Sequence, residues 1–403
     1  MDSARASSVA GVADRPEVKL LLCCARSRRG PERSAEIEAL LREKIDWEYL
    51  IRMARSHGIM PLLFWQLNAV SPEAVPSTLL DQLGAEFRNN SLRSLSLTGE
   101  LVGLLRELEG QGVAAIPYKG PILAASAYGN IALREFVDID VLVRKEEVFR
   151  AQKLLLAAGY RPEYRLTTAQ QAAFLRYNCE HSFLNSNGGS AVDLHWAIAE
   201  RHFSFPLDTE AFWRRLDRVS LGGSDVYTLS PEDLLLVLCV QGFKDAWERL
   251  KYICDVAEVI RAHQDMDWDR VLEQADALGG RRTLFVGLAL AGALLGTPLP
   301  EKIAQEVQTD AAVRTLVGRV QERLFRTSGP PRRFPEIMFR PIHVKMRERL
   351  RDKVRYCART AMTHTVGDWM ALPLPRPLFS LYYVLRPIRL AGKYGVRLFK
   401  RTP

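Results

Sequence analysis

"FVDIDVLVRK", residues 136–145, sets Asp138 and Asp140 inside a run otherwise made of Phe, Val, Ile and Leu. Its length and apolar content predict a strand, and on a strand side chains two apart share a face, with Cα atoms roughly 6.6 Å apart. Both carboxylates therefore look at one spot. Two like charges about 5 Å apart repel by roughly 3 kcal/mol at an effective dielectric near 20, so the pair calls for a retained proton or a bound cation.

Working outward, "VAAIPYKG" (113–120) reads as a strand entering a glycine turn, and "ILAASAYG" (122–129) as a short helix. "KEEVFRAQKLLLAAGY" (145–160) is a helix stopped by Gly159. "EHSFLNSNGGSAVDLHWAI" (180–198) predicts a hairpin about "NSNGGS", and its second strand again puts polar residues, Asp193 and His195, on one face of an apolar run. Glu180 and His181 begin the first strand of that hairpin.

Upstream, residues 33–112 read as helices, with Asp46 an N-cap. Downstream, Ser230 and Pro231 open about a hundred helical residues, in which Trp247, Arg249 and Asp255 suit core and ion-pair roles. The apolar run 283–296 is shorter than the roughly 18 residues of a membrane span, which predicts a buried helix and no transmembrane segment. The expected architecture is α+β. A small mixed sheet with flanking helices (113–228) lies between an N-terminal helical region (33–112) and a helical bundle (229–328), with a flexible tail (1–32) and a basic end (329–403).

The 403 residues, 47% of them hydrophobic, imply a globular chain of two or three domains. Cys23, Cys24, Cys179, Cys239, Cys254 and Cys357 form no C-x-x-C pair and sit mostly in apolar stretches, as reduced cysteines of a cytoplasmic protein would. The only apolar patch near the N-terminus is too short for a signal-peptide core. The net charge of +9 comes from the end of the chain: residues 340–403 hold 15 Lys and Arg against 3 Asp and Glu. Such asymmetry suggests a polyanion or an anionic membrane surface as partner, with Phe379, Tyr382, Tyr383 and Tyr394 interleaved, although charge runs also serve as plain solvated faces.

A glycine turn, a helix, a strand with D-x-D and a third acid on a neighbouring strand resemble the nucleotidyltransferase fold related to DNA polymerase β. Lys119-Gly120, Arg134, Asp138-Ile139-Asp140, "VDLHW" (192–196), "WERLKYICDVAEVI" (247–260) and "DWEYLIRMARSHGIMPLL" (46–63) resemble, more closely, a poorly characterised bacterial nucleotidyltransferase family with lysine-glycine in place of glycine-serine. The resemblance implies transfer of a nucleoside monophosphate from an NTP such as ATP to an unidentified acceptor. It further implies two Mg²⁺ ions, or Mn²⁺, held by Asp138, Asp140 and Asp193, with Asp193 helping to deprotonate the acceptor. Lys119, the Gly120 backbone and Arg134 would meet the phosphates. His195, on the face of Asp193, could touch substrate, orient an acid or be a satisfied structural histidine, and Glu180 and His181 could support the acids or be structural. Pro121 replaces the family-type serine, and Gln241 and Asp245 stand where relatives carry histidines. Two other readings stay open: a degenerate family member that senses nucleotide or binds a partner, and a transferase acting on tRNA or other nucleic acid.

Overall fold

The computed structural model describes residues 14–389 apart from 187–189, 204, 206–208, 326–339, 373, 375 and 387. Among the described residues five helices come first: α1 (Pro16–Cys24), α2 (Pro31–Leu41), α3 (Trp47–His57), α4 (Met60–Val70) and α5 (Ser77–Gly110). Asp46 caps α3 by accepting the Tyr49 backbone N–H, and left-handed Gly58 closes it. Helix α1 lies where a flexible tail is expected. Its Val18, Leu20, Leu21 and Cys24 are buried, and it packs on α3 and α4. An apolar patch too short for a signal peptide is long enough to supply one buried helix face. Residues 1–13 of the expected tail lie outside the described residues.

The central sheet contains β1 (Ala115–Pro117), β2 (Asp138–Val143), β3 (Tyr160–Pro162), β4 (Glu180–Asn185) and β5 (Ala191–His195), in the order β1-β2-β5-β4-β3. Strands β2 and β5 run parallel and the other neighbours antiparallel, so the sheet is mixed as expected. Helices α6 (Gly120–Ser126), α7 (Val148–Ala157) and α8 (Thr168–Tyr177) lie between its strands in sequence. The predicted β4–β5 hairpin forms, while most of its turn, 187–189, lies outside the described residues. Helix α9 (Thr209–Trp213) and a second hairpin, β6 (Leu216–Leu221) with β7 (Ser224–Leu229), are additions to the sequence reading.

Alternation along the strands gives the sheet two unlike faces. Ile139, Val141, Val143, Val192 and Leu194 share one core with Leu97, Leu101 and Leu108 of α5 and Val148, Ala151 and Leu155 of α7. The residues between them, including the acids, face the other way.

Six helices follow: α10 (Pro231–Lys244), α11 (Leu250–Ala262), α12 (Trp268–Ala277), α13 (Arg281–Leu295), α14 (Glu301–Thr309) and α15 (Ala311–Leu324). The apolar run at 283–296 forms most of buried α13, and no helix among the described residues is long and apolar enough to cross a membrane. Trp247 sits in the turn between α10 and α11, where it and Ala246 adopt positive φ. Its buried ring fills the space beside Gly242 and Gly287, and a Cβ at Gly242 would come within 2.5 Å of it. Gly242→Ala is therefore expected to destabilise the protein by about 3 kcal/mol through overpacking. A lowered urea midpoint with unchanged m-value would show this.

The basic end forms α16 (Pro341–Met346), α17 (Leu350–Met362) and α18 (Val366–Ala371). Part of its charge is used inside the fold. Arg386 and Arg389 each lie 2.6 Å from an Asp368 oxygen, Arg340 pairs with Glu248 at 3.0 Å, and buried Arg347 stacks 3.9 Å from the Phe205 ring centre. Tyr382 is buried and donates to the Leu372 carbonyl, whereas Tyr394 lies outside the described residues.

Candidate active site

At the end of β1 the chain must turn sharply to enter α6. Gly120 does so with φ of +55°, and a Cβ there would lie 3.2 Å from the Asp138 carbonyl oxygen. Glycine suits this close approach. Pro121 follows in the first turn of the helix, where a missing N–H costs nothing. The turn delivers Lys119 onto the acidic face, with Nζ 2.7 Å from Asp140 Oδ1.

The parallel register then places Asp140 directly beside Asp193, and the antiparallel β4 sets Glu180 opposite His195. His195 Nε2 lies 3.0 Å from Asp140 Oδ1 and Nδ1 lies 3.2 Å from Glu180 Oε2. One ligand atom each from Asp140, Asp193 and His195 lies within 4.8 Å of the others, close enough for the three to hold a metal ion. Asp138 stands two residues back on the same strand face. A carboxylate-rich donor set of this kind suits Mg²⁺ or Mn²⁺.

The crowding is relieved by both routes at once. Burial would raise the Asp140 carboxyl, but Lys119 and His195 hold it well below the usual range. Burial and the Asp140 charge push Asp138 up. Burial, then Glu180, push Asp193 up to about 6, against a hydrogen bond from Ser182. One acid is thus held ionised by cationic neighbours, while burial and like charge oppose ionisation of the other two, Asp193 losing its proton only near pH 6.

This has a consequence for stability. A carboxyl whose folded pKa lies above its unfolded value opposes folding once it ionises, with no cost below about pH 4 and the full cost above about 6. Asp193→Asn should therefore stabilise the metal-free protein at pH 7.5, by up to about 3 kcal/mol. The gain should vanish near pH 4. Denaturant titrations at the two pH values check it.

Arg134 takes a different place from the phosphate clamp expected of it. Its guanidinium holds Asp255 of α11 through two hydrogen bonds, of 2.8 and 2.9 Å, and Tyr128 donates to the same carboxylate at 2.7 Å. The group ties the approach to β2 to the bundle. His181 also stands apart from the acids. It faces the opposite side of the sheet, against Phe174 and Phe183, lining a cavity of about 210 Å³ with Trp196, and burial pushes its imidazole down to about 4.

Lys244 is a charged neighbour that the sequence reading passed over. Its Nζ lies 3.1 Å from Glu200 Oε2 and 3.9 Å from the Cys179 sulfur. Its signal was a lysine closing an apolar helix in "VQGFKDAW". In that stretch Gln241 donates to Asp245 at 2.6 Å.

The family model described as "Uncharacterised nucleotidyltransferase" matches residues 43–296, a span that contains every acid of the site. No curated protein matches the sequence.

Proposed function

The chain belongs to the uncharacterised nucleotidyltransferase family and is a nucleotidyltransferase; on that premise we propose that it moves a nucleoside monophosphate from an NTP, ATP among them, to a hydroxyl- or phosphate-bearing small molecule, glycan or protein, releasing pyrophosphate. The observation that carries this is the register of β2 and β5, which sets Asp193 beside Asp140, with Asp138 on the same strand face as Asp140. In this reading the acceptor oxygen bonds to the α-phosphorus as the bond to pyrophosphate breaks.

Asp138, Asp140 and Asp193 would hold two Mg²⁺ ions, or Mn²⁺, which supply Lewis acidity to the transferring phosphate. Asp193, with its raised carboxyl pKa, takes the acceptor proton. Lys119 and the Gly120 backbone meet the phosphates. His195 fixes the orientation of Asp140 through its Nε2, with a Glu180 oxygen beside its Nδ1. Incubation with NTPs labelled at the α-phosphate should yield labelled product and pyrophosphate, and chelating the divalent cations should stop both. Labelled NTP left intact across nucleotides, acceptors and both metals would overturn the reading.

A second reading, a nucleotide-sensing protein without turnover, draws on the 2.7 Å contact by which Lys119 already satisfies Asp140. Calorimetric NTP binding with no pyrophosphate released would favour it. For location, all six cysteines are free thiols, which suits a reducing cytoplasm.

For a partner surface we propose an anionic membrane. The outward stripe of α17 carries Leu350 and Val354, 75% and 60% exposed, then Met362, beside exposed Arg351 and Arg355. Aliphatic side chains flanked by arginines match acyl chains under anionic headgroups, whereas a nucleic acid would favour aromatic stacking. The protein should co-sediment with vesicles containing phosphatidylglycerol and not with pure phosphatidylcholine, and Leu350→Asp with Val354→Asp should release it. Salt-sensitive RNA binding without vesicle binding would replace this partner with a nucleic acid.

A further inference from the structure

A second group of ligands lies beside the aspartates and has different chemistry. Cys179, Glu180 and His195 each offer a ligand atom within 4.8 Å of the others. The Cys179 sulfur is 3.7 Å from Glu180 Oε2, which is 3.2 Å from His195 Nδ1. A tetrahedral zinc ion, with bonds of about 2.3 Å to sulfur and about 2.1 Å to oxygen and nitrogen, sets its sulfur and oxygen ligands about 3.6 Å apart and its oxygen and nitrogen ligands about 3.4 Å apart. Both spacings are already present without the ion. His195 is 1% exposed, and its Nδ1 has no hydrogen-bond partner, despite the nearby Glu180 oxygen. The unpartnered imidazole nitrogen is thus buried within 4.8 Å of both a thiol sulfur and a carboxylate oxygen.

We propose that Cys179, Glu180 and His195 form a site for a thiophilic divalent cation, zinc by preference, with a fourth position left for water or a substrate oxygen. Sulfur and nitrogen donors select zinc over magnesium, so the two neighbouring groups of ligands sort the two metals. On binding, the Cys179 thiol releases its proton to solvent and the thiolate bonds the cation. Lys244, the nearest cation to that sulfur, is already paired with Glu200. His195 joins the two groups. With Nδ1 bound to the metal, the proton of the neutral ring sits on Nε2 and is donated to Asp140, which fixes the orientation of that carboxylate.

The site does not depend on nucleotidyl transfer, and its readout is a sulfur signal. Cobalt(II) added to the metal-free full-length protein should produce a thiolate-to-cobalt charge-transfer band that saturates at one equivalent. Zinc should abolish the band and millimolar magnesium should leave it. Cys179→Ser should lose it and Cys357→Ser should keep it. Glu180→Gln, altered at a half-exposed side chain, should weaken zinc binding at least about tenfold. Absence of the band, its survival in Cys179→Ser, its loss to magnesium or unchanged zinc affinity in Glu180→Gln would each overturn the site.

Discussion

Asp138→Asn and Asp140→Asn are each expected to lower nucleotidyl transfer by about a thousandfold or more, because under the proposed mechanism each would remove a metal-ligand charge that no neighbour replaces. Their effects on stability should differ. Asp140 is held ionised by Lys119 and His195, so its amide variant leaves a partly buried lysine without its anion and should melt lower. Burial and the Asp140 charge oppose ionisation of Asp138, so its amide variant should be at least as stable as wild type near neutral pH. Single-turnover assays beside thermal melts separate the two effects. Activity within tenfold of wild type in both variants would remove these acids from the chemistry.

Asp255→Ala is expected to cost about 3–5 kcal/mol, because it leaves the buried Arg134 guanidinium uncompensated. Arg134→Ala should cost a similar amount by orphaning Asp255. The pair replaced together, as Arg134→Met with Asp255→Leu, should recover most of the loss, since a buried ion pair adds little net stability over well-packed apolar side chains. The midpoint of guanidinium unfolding for the three proteins gives the answer. A loss below about 1 kcal/mol in both single variants would mean that water reaches the pair.

The parts of the fold written in local pattern were legible in the sequence. The run at 138–143 has period 2 and little but apolar residues around its acids, the glycine turn at 119–120 precedes it, and the strands at 180–185 and 191–195 flank a turn rich in Asn and Gly. The Gly222-Gly223 turn of the second hairpin, with both residues at positive φ, was equally local, and its signal was overlooked. So was the capping box of Thr167 and Gln170 that opens α8.

What could not be read was long-range pairing. Arg134 looks like a phosphate ligand until Asp255, 121 residues on, arrives beside it. Lys244 gains its meaning only from Glu200 and Cys179, which come from the far side of the β4–β5 hairpin and from its approach. The case of His181 is subtler. Adjacent strand residues face opposite ways, so Glu180 and His181 could not both face the acids. The choice rested on register, and the pairing of Glu180 with His195 made it.

Diffraction from crystals soaked with Mn²⁺ and a non-hydrolysable NTP, recorded at the manganese edge, will locate the metals and the triphosphate against the three acids. Two anomalous peaks are expected about 3.5–4 Å apart, in contact with Asp138, Asp140 and Asp193, with the triphosphate extending toward Lys119 and Gly120. A triphosphate bound elsewhere, or manganese peaks away from all three acids, would contradict the proposed two-metal site.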